Sequence, residues 1–394
     1  MWTGEEILQI LESEGIKRGT SVYIYNLGMI TQNVNNIKKY FDGWNILYSM
    51  KANPNIDILK RIFQLGVGID AASKNEVLLA KKVGFEKEKI FYSSPGKTYS
   101  DLEECHDKCT IIVDSMNEIL RLSKIGKLQD KKIKVGVRVN ITNDYMTGNA
   151  FEVMGGVTSK FGISIEEFKN ATEIYSDHPN IEIIGLHVYF GSQILNKDIL
   201  VNNLILIAEF ANLFCKEIKL EFVNFGGGFG IPYKYNDEKL DIQYIGKNEK
   251  LKYAIVNLQR NGIRCNLELG RYLVGNAGIY ITSVEDIKVS YDKKYVILAS
   301  GFNGFFRPIF TKEFHIIEKC DSKIDECESI TLVGNLCTPM DQYYEDIVFP
   351  KLDIGDWIWF HNAGAYGYTM CLLEFISHDK PLEIIISGDE QWDI

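Results

Sequence analysis

Trp44-Asn45-Ile46-Leu47-Tyr48-Ser49-Met50-Lys51-Ala52-Asn53-Pro54 is an apolar run that stops at a turn. The helical stretch Ile56 to Leu65 follows, and then a second apolar run, Val67-Gly68-Ile69-Asp70-Ala71-Ala72-Ser73. Strand, helix and strand in this order make a unit whose two strands lie parallel, because an antiparallel pair needs only a short turn. The unit recurs. Strand-like segments fall at 44 to 53, 67 to 73, 89 to 95, 109 to 115, 132 to 140, 181 to 191, 221 to 230 and 265 to 274. Helical patterns with apolar residues at three-to-four spacing stand between them, as at Asn75 to Val83, Met116 to Ile125, Glu166 to Tyr175 and Leu200 to Cys215. Eight such units over roughly 250 residues match an α/β fold of the (β/α)8 TIM-barrel kind.

A strand-like run, Ser21 to Asn26, precedes the barrel. After residue 275 the pattern changes to short β-like runs: Lys294 to Ala299, Ser329 to Val333, Trp357 to His361 and Leu382 to Ile386. The expected division is a barrel over 27–270 and a C-terminal β-rich domain over 271–394, joined by the N-terminal segment 1–26. The Gly-, Thr- and Asn-rich stretch 141–162 is expected to be an irregular loop over the barrel mouth.

The chain has 394 residues, 46% of them hydrophobic, enough for a large core. Its 43 basic and 53 acidic residues give a formal charge of −10, which argues against nucleic acid or an anionic membrane surface as partner and favours a small molecule or a protein. No leader pattern opens the chain and no apolar run reaches the roughly 18 to 20 residues of a membrane span, so a cytoplasmic protein is expected. The eight cysteines are scattered, without paired metal-site spacing, and no metal is expected.

In a barrel of this type the residues closing the strands face one site. Lys51 closes the first strand, where an ammonium either snorkels to solvent or serves as an imine-forming amine of lowered pKa. Phe222-Val223-Asn224-Phe225-Gly226-Gly227-Gly228-Phe229-Gly230 ends the seventh strand in three consecutive glycines. These make either a tight turn or a cradle whose backbone N–H groups approach a phosphate. Glu268 and Arg271, at the end of the eighth strand, either pair with each other or serve a ligand; Glu268 is suited to hold a pyridine N–H and keep the ring protonated. His187 closes the sixth strand, with Ser192 just beyond it, and reads either as a core histidine or as a group lying against a cofactor ring.

These segments, with Asp70-Ala71-Ala72-Ser73-Lys74-Asn75-Glu76, Gly334-Asn335-Leu336-Cys337 and Gly364-Ala365-Tyr366-Gly367, resemble in order and over most of the chain the ornithine and diaminopimelate decarboxylases. Those are fold-type III enzymes dependent on pyridoxal 5′-phosphate (PLP), built on an alanine-racemase-like barrel with a C-terminal β-domain. The resemblance implies a PLP-dependent amino-acid decarboxylase. Lys51 is then the Schiff-base lysine, His187 stacks on the ring and Glu268 pairs with the ring nitrogen. Asp70 and Arg138 lie beside the cofactor; Ser192, Gly226, Gly227, Gly228, Gly270, Arg271 and Tyr366 surround it on the phosphate side. Cys337 matches the cysteine that reprotonates the decarboxylated carbon. In relatives that thiol comes from the other subunit, which implies a homodimer with shared sites.

For substrate, the resemblance points to Arg307, Thr338 and Asp341. Ornithine decarboxylases place an aspartate after the cysteine and diaminopimelate decarboxylases a glutamate, whereas Thr338 cannot pair with an ammonium as a carboxylate does. Arg307 matches an arginine that diaminopimelate decarboxylases use for a distal carboxylate. Leu336-Cys337-Thr338-Pro339-Met340-Asp341 resembles a branch acting in siderophore and antibiotic pathways, on an amino-acid unit attached to something larger, in some cases a carrier protein. The alternatives are diaminopimelate decarboxylation, then ornithine or lysine decarboxylation. From other classes come an amino-acid racemase, which would resemble its kind in placing an arginine where Glu268 stands, and a non-catalytic regulator.

Overall fold

The computed structural model describes residues 2–141, 158–174, 178–215, 218–321 and 326–388. Most of the expected loop at 141–162, namely 142–157, lies outside the described residues. Helix Gly4–Ser13 opens with a capping box between Thr3 and Glu6, and strand β1 (Val22–Asn26) follows. Then come β2 (Asn45–Ser49), β3 (Gly68–Ala71), β4 (Ile90–Ser93), β5 (Thr110–Val113), β6 (Ile133–Asn140), β7 (Ile163–Ser164), β8 (Ile181–His187), β9 (Phe222–Asn224) and β10 (Arg264–Leu269).

Strands β2, β3, β4, β5, β6, β8, β9 and β10 pair in parallel, each with the next, and β10 returns to β2, so the sheet closes. This is the expected eight-stranded barrel. The two-residue β7 is an unforeseen addition on β6. The helices start where the chain supplies caps: Asn55, Ser73, Thr98 and Ser115 each accept an N–H of the first turn.

The barrel is plugged from within. Leu47, Phe91, Ile112, Ile184 and Phe222 form one buried cluster, with the Phe91 and Phe222 rings edge to face at 5.1 Å. Gly136 and Gly185 make room for it: a Cβ on Gly185 would lie 2.2 Å from the Phe222 ring, and one on Gly136 2.5 Å from Ile112. Burying a ring of this size stabilises by about 2 kcal/mol, and Gly185→Ala would trade that for overpacking. The packed floor leaves the C-terminal strand ends as the face open to chemistry.

Two compact units divide the chain: Thr31–Ile231 with Glu238–Leu273, which holds the barrel, and Met1–Ile30 with Pro232–Asp237 and Val274–Ile394. The second is a β unit with strands β11 (Gly278–Ser290), β12 (Lys293–Leu298), β13 (Ile317–Lys319), β14 (Cys327–Val333), β15 (Gln342–Pro350), β16 (Trp357–Phe360) and β17 (Leu382–Ile386). One half of β11 lies between β1 and β16, the other pairs with β12, and β1 also pairs in parallel with β17. Its core joins Ile7 and Leu11 of the first helix to Val22, Ile24, Ile279, Ile281 and Trp359. Among the described residues no helix is long and apolar enough to cross a membrane.

Candidate active site

The register of the barrel brings its polar residues into one ring. Arg138 of β6 stands opposite His187 of β8, His187 opposite Asn224 of β9, and Ser49 of β2 opposite Asp70 of β3. Glu268, on β10, completes the circle beside Leu47. All of these polar groups are buried, which parallel strands tolerate only where the groups satisfy one another or a ligand.

They largely satisfy one another. Glu268 is 4% exposed, accepts from Asn224 Nδ2 at 2.6 Å and lies 3.1 Å from Nε2 of His187. Burial alone would raise its pKa, but His187, Lys51 and Arg138 outweigh that and hold Glu268 below the usual carboxylate range. Asp70 accepts from Ser49 at 2.9 Å and from Ser93. Burial and the neighbouring Glu268 push its pKa up to about 6, against the pull of Lys51 and Ser93. Two carboxylates in one mouth are thus set apart, one held charged and one raised toward neutral pH.

Lys51 sits in the tight turn Met50–Ala52 directly after β2, with Nζ 5.4 Å from the Tyr189 ring centroid. Arg138 lies 3.8 Å from Asp114 and stacks over Phe161 at 4.6 Å; burial lowers its pKa, opposed by Asp114 and Glu268. Behind it, Lys97 and Glu118 form a fully buried ion pair at 2.8 Å, and Glu118 also accepts the N–H groups of Lys97 and Asp114.

The glycine run is a close-approach turn. Gly226 and Gly228 have φ of +60° and +88°, and a Cβ on Gly227 would lie 1.7 Å from the Glu268 carbonyl oxygen. Arg271 donates to Ser192 Oγ at 3.2 Å, so a guanidinium and a hydroxyl lie together in the same unit as this turn. A Cβ on Gly270 would crowd Ala52 and Ser49 at about 3 Å.

These residues fit the cofactor that the sequence implied. The barrel supplies an amine, a charged carboxylate fixed by two neighbours and an arginine beside a hydroxyl for an anion. Nδ1 of His187, in a side chain 1% exposed, has no hydrogen-bond partner among the described residues. Among the described residues no group of three His, Cys, Asp or Glu side chains is arranged to hold a metal ion.

The remaining expected residues belong to the second unit. Cys337 is exposed on the Gly334–Asp341 loop, with Thr338 partly exposed beside it. Arg307 is not a surface arginine: it is 5% exposed, lies 2.6 Å from Glu313 and stacks between Tyr233 and Tyr366 at 5.3 and 5.7 Å. Tyr366 takes a positive φ of 56°. The two carboxylate oxygens of Asp341, at the base of the Gly334–Asp341 loop, accept the N–H groups of Phe302 and Leu336.

Sequence reading passed over Asn224, Tyr189, Glu76, Asp114 and Glu313. Glu76 accepts the Ala72 N–H at 2.6 Å, and burial pushes its pKa up to about 7. Asn224 had a visible signal, an amide inside the apolar run before the glycines; Glu313 had none, because nothing in its neighbourhood marks it as the partner of Arg307.

Residues 27–275 match the family model described as the pyridoxal binding domain of pyridoxal-dependent decarboxylases. A diaminopimelate decarboxylase of Aquifex aeolicus is 32% identical, over 89% of this chain and 83% of its own length. The L-glutamyl-[BtrI acyl-carrier protein] decarboxylase of Niallia circulans is also 32% identical, over 86% and 81%. The 2-[(L-alanin-3-ylcarbamoyl)methyl]-2-hydroxybutanedioate decarboxylase of Staphylococcus aureus is 31% identical, over 94% of each chain. Among solved structures, the diaminopimelate decarboxylase of Helicobacter pylori complexed with L-lysine superposes with a TM-score of 0.87 at 27% identity, over 95% of this chain and 93% of that one.

Proposed function

The chain belongs to the pyridoxal-dependent decarboxylases, and from that membership we propose that it removes the α-carboxylate of an amino-acid unit attached to a larger molecule. The Niallia relative acts on a glutamyl group on a carrier protein, and the name of the Staphylococcus relative describes an alanine unit amide-linked to a hydroxybutanedioate. The observation that carries the reading is the Arg307–Glu313 contact at 2.6 Å. The guanidinium that the resemblance reserves for a distal carboxylate is already matched by this chain's own carboxylate, and Thr338 offers no charge to a distal ammonium. A free second amino-acid head is therefore poorly served. Diaminopimelate decarboxylation is the second reading, favoured by the Aquifex and Helicobacter relatives.

PLP is the cofactor, and when bound it supplies the electron sink that makes loss of carbon dioxide from an amine-bearing carbon accessible. In this reading the Lys51 amine holds the cofactor and Glu268, fixed by Asn224 and His187, keeps a proton on the ring nitrogen. His187 would support the cofactor ring, and Asp70, which interacts with Lys51, and Arg138, which interacts with Asp70 and Glu268, would set the charge around it. Arg271 and Ser192, with Gly226, Gly227, Gly228 and Gly270, would hold the phosphate, and the resemblance adds Tyr366 to them. Cys337 would hold at Sγ the proton that the product carbon needs once carbon dioxide has left.

The same reading includes a homodimer with shared sites and a cytoplasmic location. Mixing Lys51→Ala with Cys337→Ala protein is then expected to restore about a quarter of wild-type activity, since half of the randomly exchanged dimers are mixed and each carries one intact site. No recovery after verified subunit exchange would mean unshared sites.

The function itself is tested by carbon dioxide release from carrier-bound glutamate, a citryl-diaminopropionate conjugate, meso-diaminopimelate, ornithine and lysine, with Lys51→Ala as the control. Release from conjugates alone supports the reading. Release from diaminopimelate replaces it with the second one, and enantiomer exchange without gas would make the protein a racemase.

A further inference from the structure

We propose that Asp341 is a positioning residue, a buried carboxylate that clamps the loop carrying Cys337 and so fixes where the thiol is presented. Its catalytic consequence rests on the reading of Cys337 as proton donor; the clamp itself does not.

The loop Gly334–Asp341 joins β14 to β15, and its tip is open: Cys337, Pro339 and Met340 are exposed. Asp341 at its base is 3% exposed. One carboxylate oxygen accepts the Phe302 N–H at 2.8 Å and the other the Leu336 N–H at 2.9 Å, tying the residue before the cysteine to a turn more than thirty positions upstream. The Asp341 backbone closes the loop on the other side. Its carbonyl accepts from Gly334 at 3.0 Å, its N–H donates to Thr338 at 3.2 Å, and Thr338 donates to Leu336 at 2.8 Å.

The space around the carboxylate is reserved for it. A Cβ on Gly301 or Gly334 would lie 2.0 or 2.2 Å from a carboxylate oxygen, so both neighbours must be glycine. Burial raises the Asp341 pKa, and the two main-chain donors pull it back. Charge-assisted bonds of this kind are about twice as strong as neutral ones, which suits a group that must define a loop. Cys337 thus takes its place from bonds at residues 334, 336 and 338, on both sides of it in the chain.

The test compares PLP-loaded wild type, Asp341→Asn and Asp341→Ala by timed iodoacetamide labelling under native conditions, resolved by peptide mass spectrometry. Exposed Cys327, on β14, is the internal reference. Losing two charge-assisted bonds is expected to speed Cys337 labelling about tenfold in Asp341→Ala, with Cys327 unchanged. Asp341→Asn, which keeps one acceptor, should fall between. Asp341→Asn also keeps the test open if the alanine variant fails to fold, because amide exchange at Phe302 or Leu336 must then quicken in it. Unchanged Cys337 labelling in both folded variants overturns the clamp. The substrate panel run on the same wild-type preparation keeps the readings apart: faster Cys337 labelling in the variants supports the clamp even where the wild type releases no gas.

Discussion

Glu268 in the barrel and Asp341 in the β unit are both buried carboxylates, and the two regions use them in opposite ways. Glu268 is held by side chains, Asn224 and His187, which the sheet register brings to the same level. Asp341 is held by main-chain N–H groups and does the holding itself. Where neighbouring strands already fix position, a charge can be aimed at a ligand; where a loop has no register, the charge is consumed in defining the loop. The barrel mouth therefore carries most of the residues assigned to the cofactor, and the β unit presents a few residues from braced turns.

The sharpest way to break this contrast is to remove the barrel's amine. Lys51→Ala should reduce carbon dioxide release at least about a thousandfold and abolish the imine absorption band, while its thermal melt stays close to wild type. Substantial residual activity would mean that the mouth is not the reacting centre. Lys97→Met comes next, since it strands Glu118 in a fully buried setting. It should cost about 3 kcal/mol in denaturant unfolding, part of it recovered by the double replacement Lys97→Met with Glu118→Gln, which removes the stranded charge and keeps an acceptor for the main-chain N–H groups of residues 97 and 114. A loss as large in the double variant would show that packing, not charge pairing, braces the Asp114 and Arg138 side of the ring.

The smallest effect is a pH dependence, best measured on cofactor-free protein. Asp70 has a folded pKa raised to about 6, from 3.8. The folded state therefore binds more protons between those values, so its contribution to stability falls as pH rises through that window. Asp70→Asn should flatten this part of the profile. If the profile keeps its slope in the variant, another group titrates there and the pairing of a charged Glu268 with a raised Asp70 is wrong.

The barrel was legible because parallel strands buried on both faces are written as continuous apolar runs: seven of the eight expected segments contain their strand, and the eighth, 265 to 274, misses only the first residue of Arg264–Leu269. Asp70, Arg138, His187 and Glu268 of the polar ring stood out for the same reason, as polar residues interrupting such runs at strand ends, while Ser49 and Asn224 in the same ring were passed over. The β unit was read only in part. Runs at Lys294, Ser329, Trp357 and Leu382 fall on β12, β14, β16 and β17, but the thirteen-residue β11 was missed, since one half is buried on both faces and the other mostly exposed. Neither half alternates, so no period-two signal exists to find. The two-residue β7 is too short to leave a pattern. Glu313 and Asp341 found their partners through tertiary approach alone, which spacing cannot report.

Strand β1 sits between β11 and β17, with Val22 opposite Ile281 on one side and Leu382 on the other. During synthesis this strand leaves the ribosome before any barrel strand, yet both its neighbours follow only after all of them. Every barrel strand precedes residue 270 and finds its partners earlier. The apolar strand Val22–Asn26 must therefore wait through the making of the whole barrel with an open edge, which makes it the segment of the nascent chain most in need of protection from association.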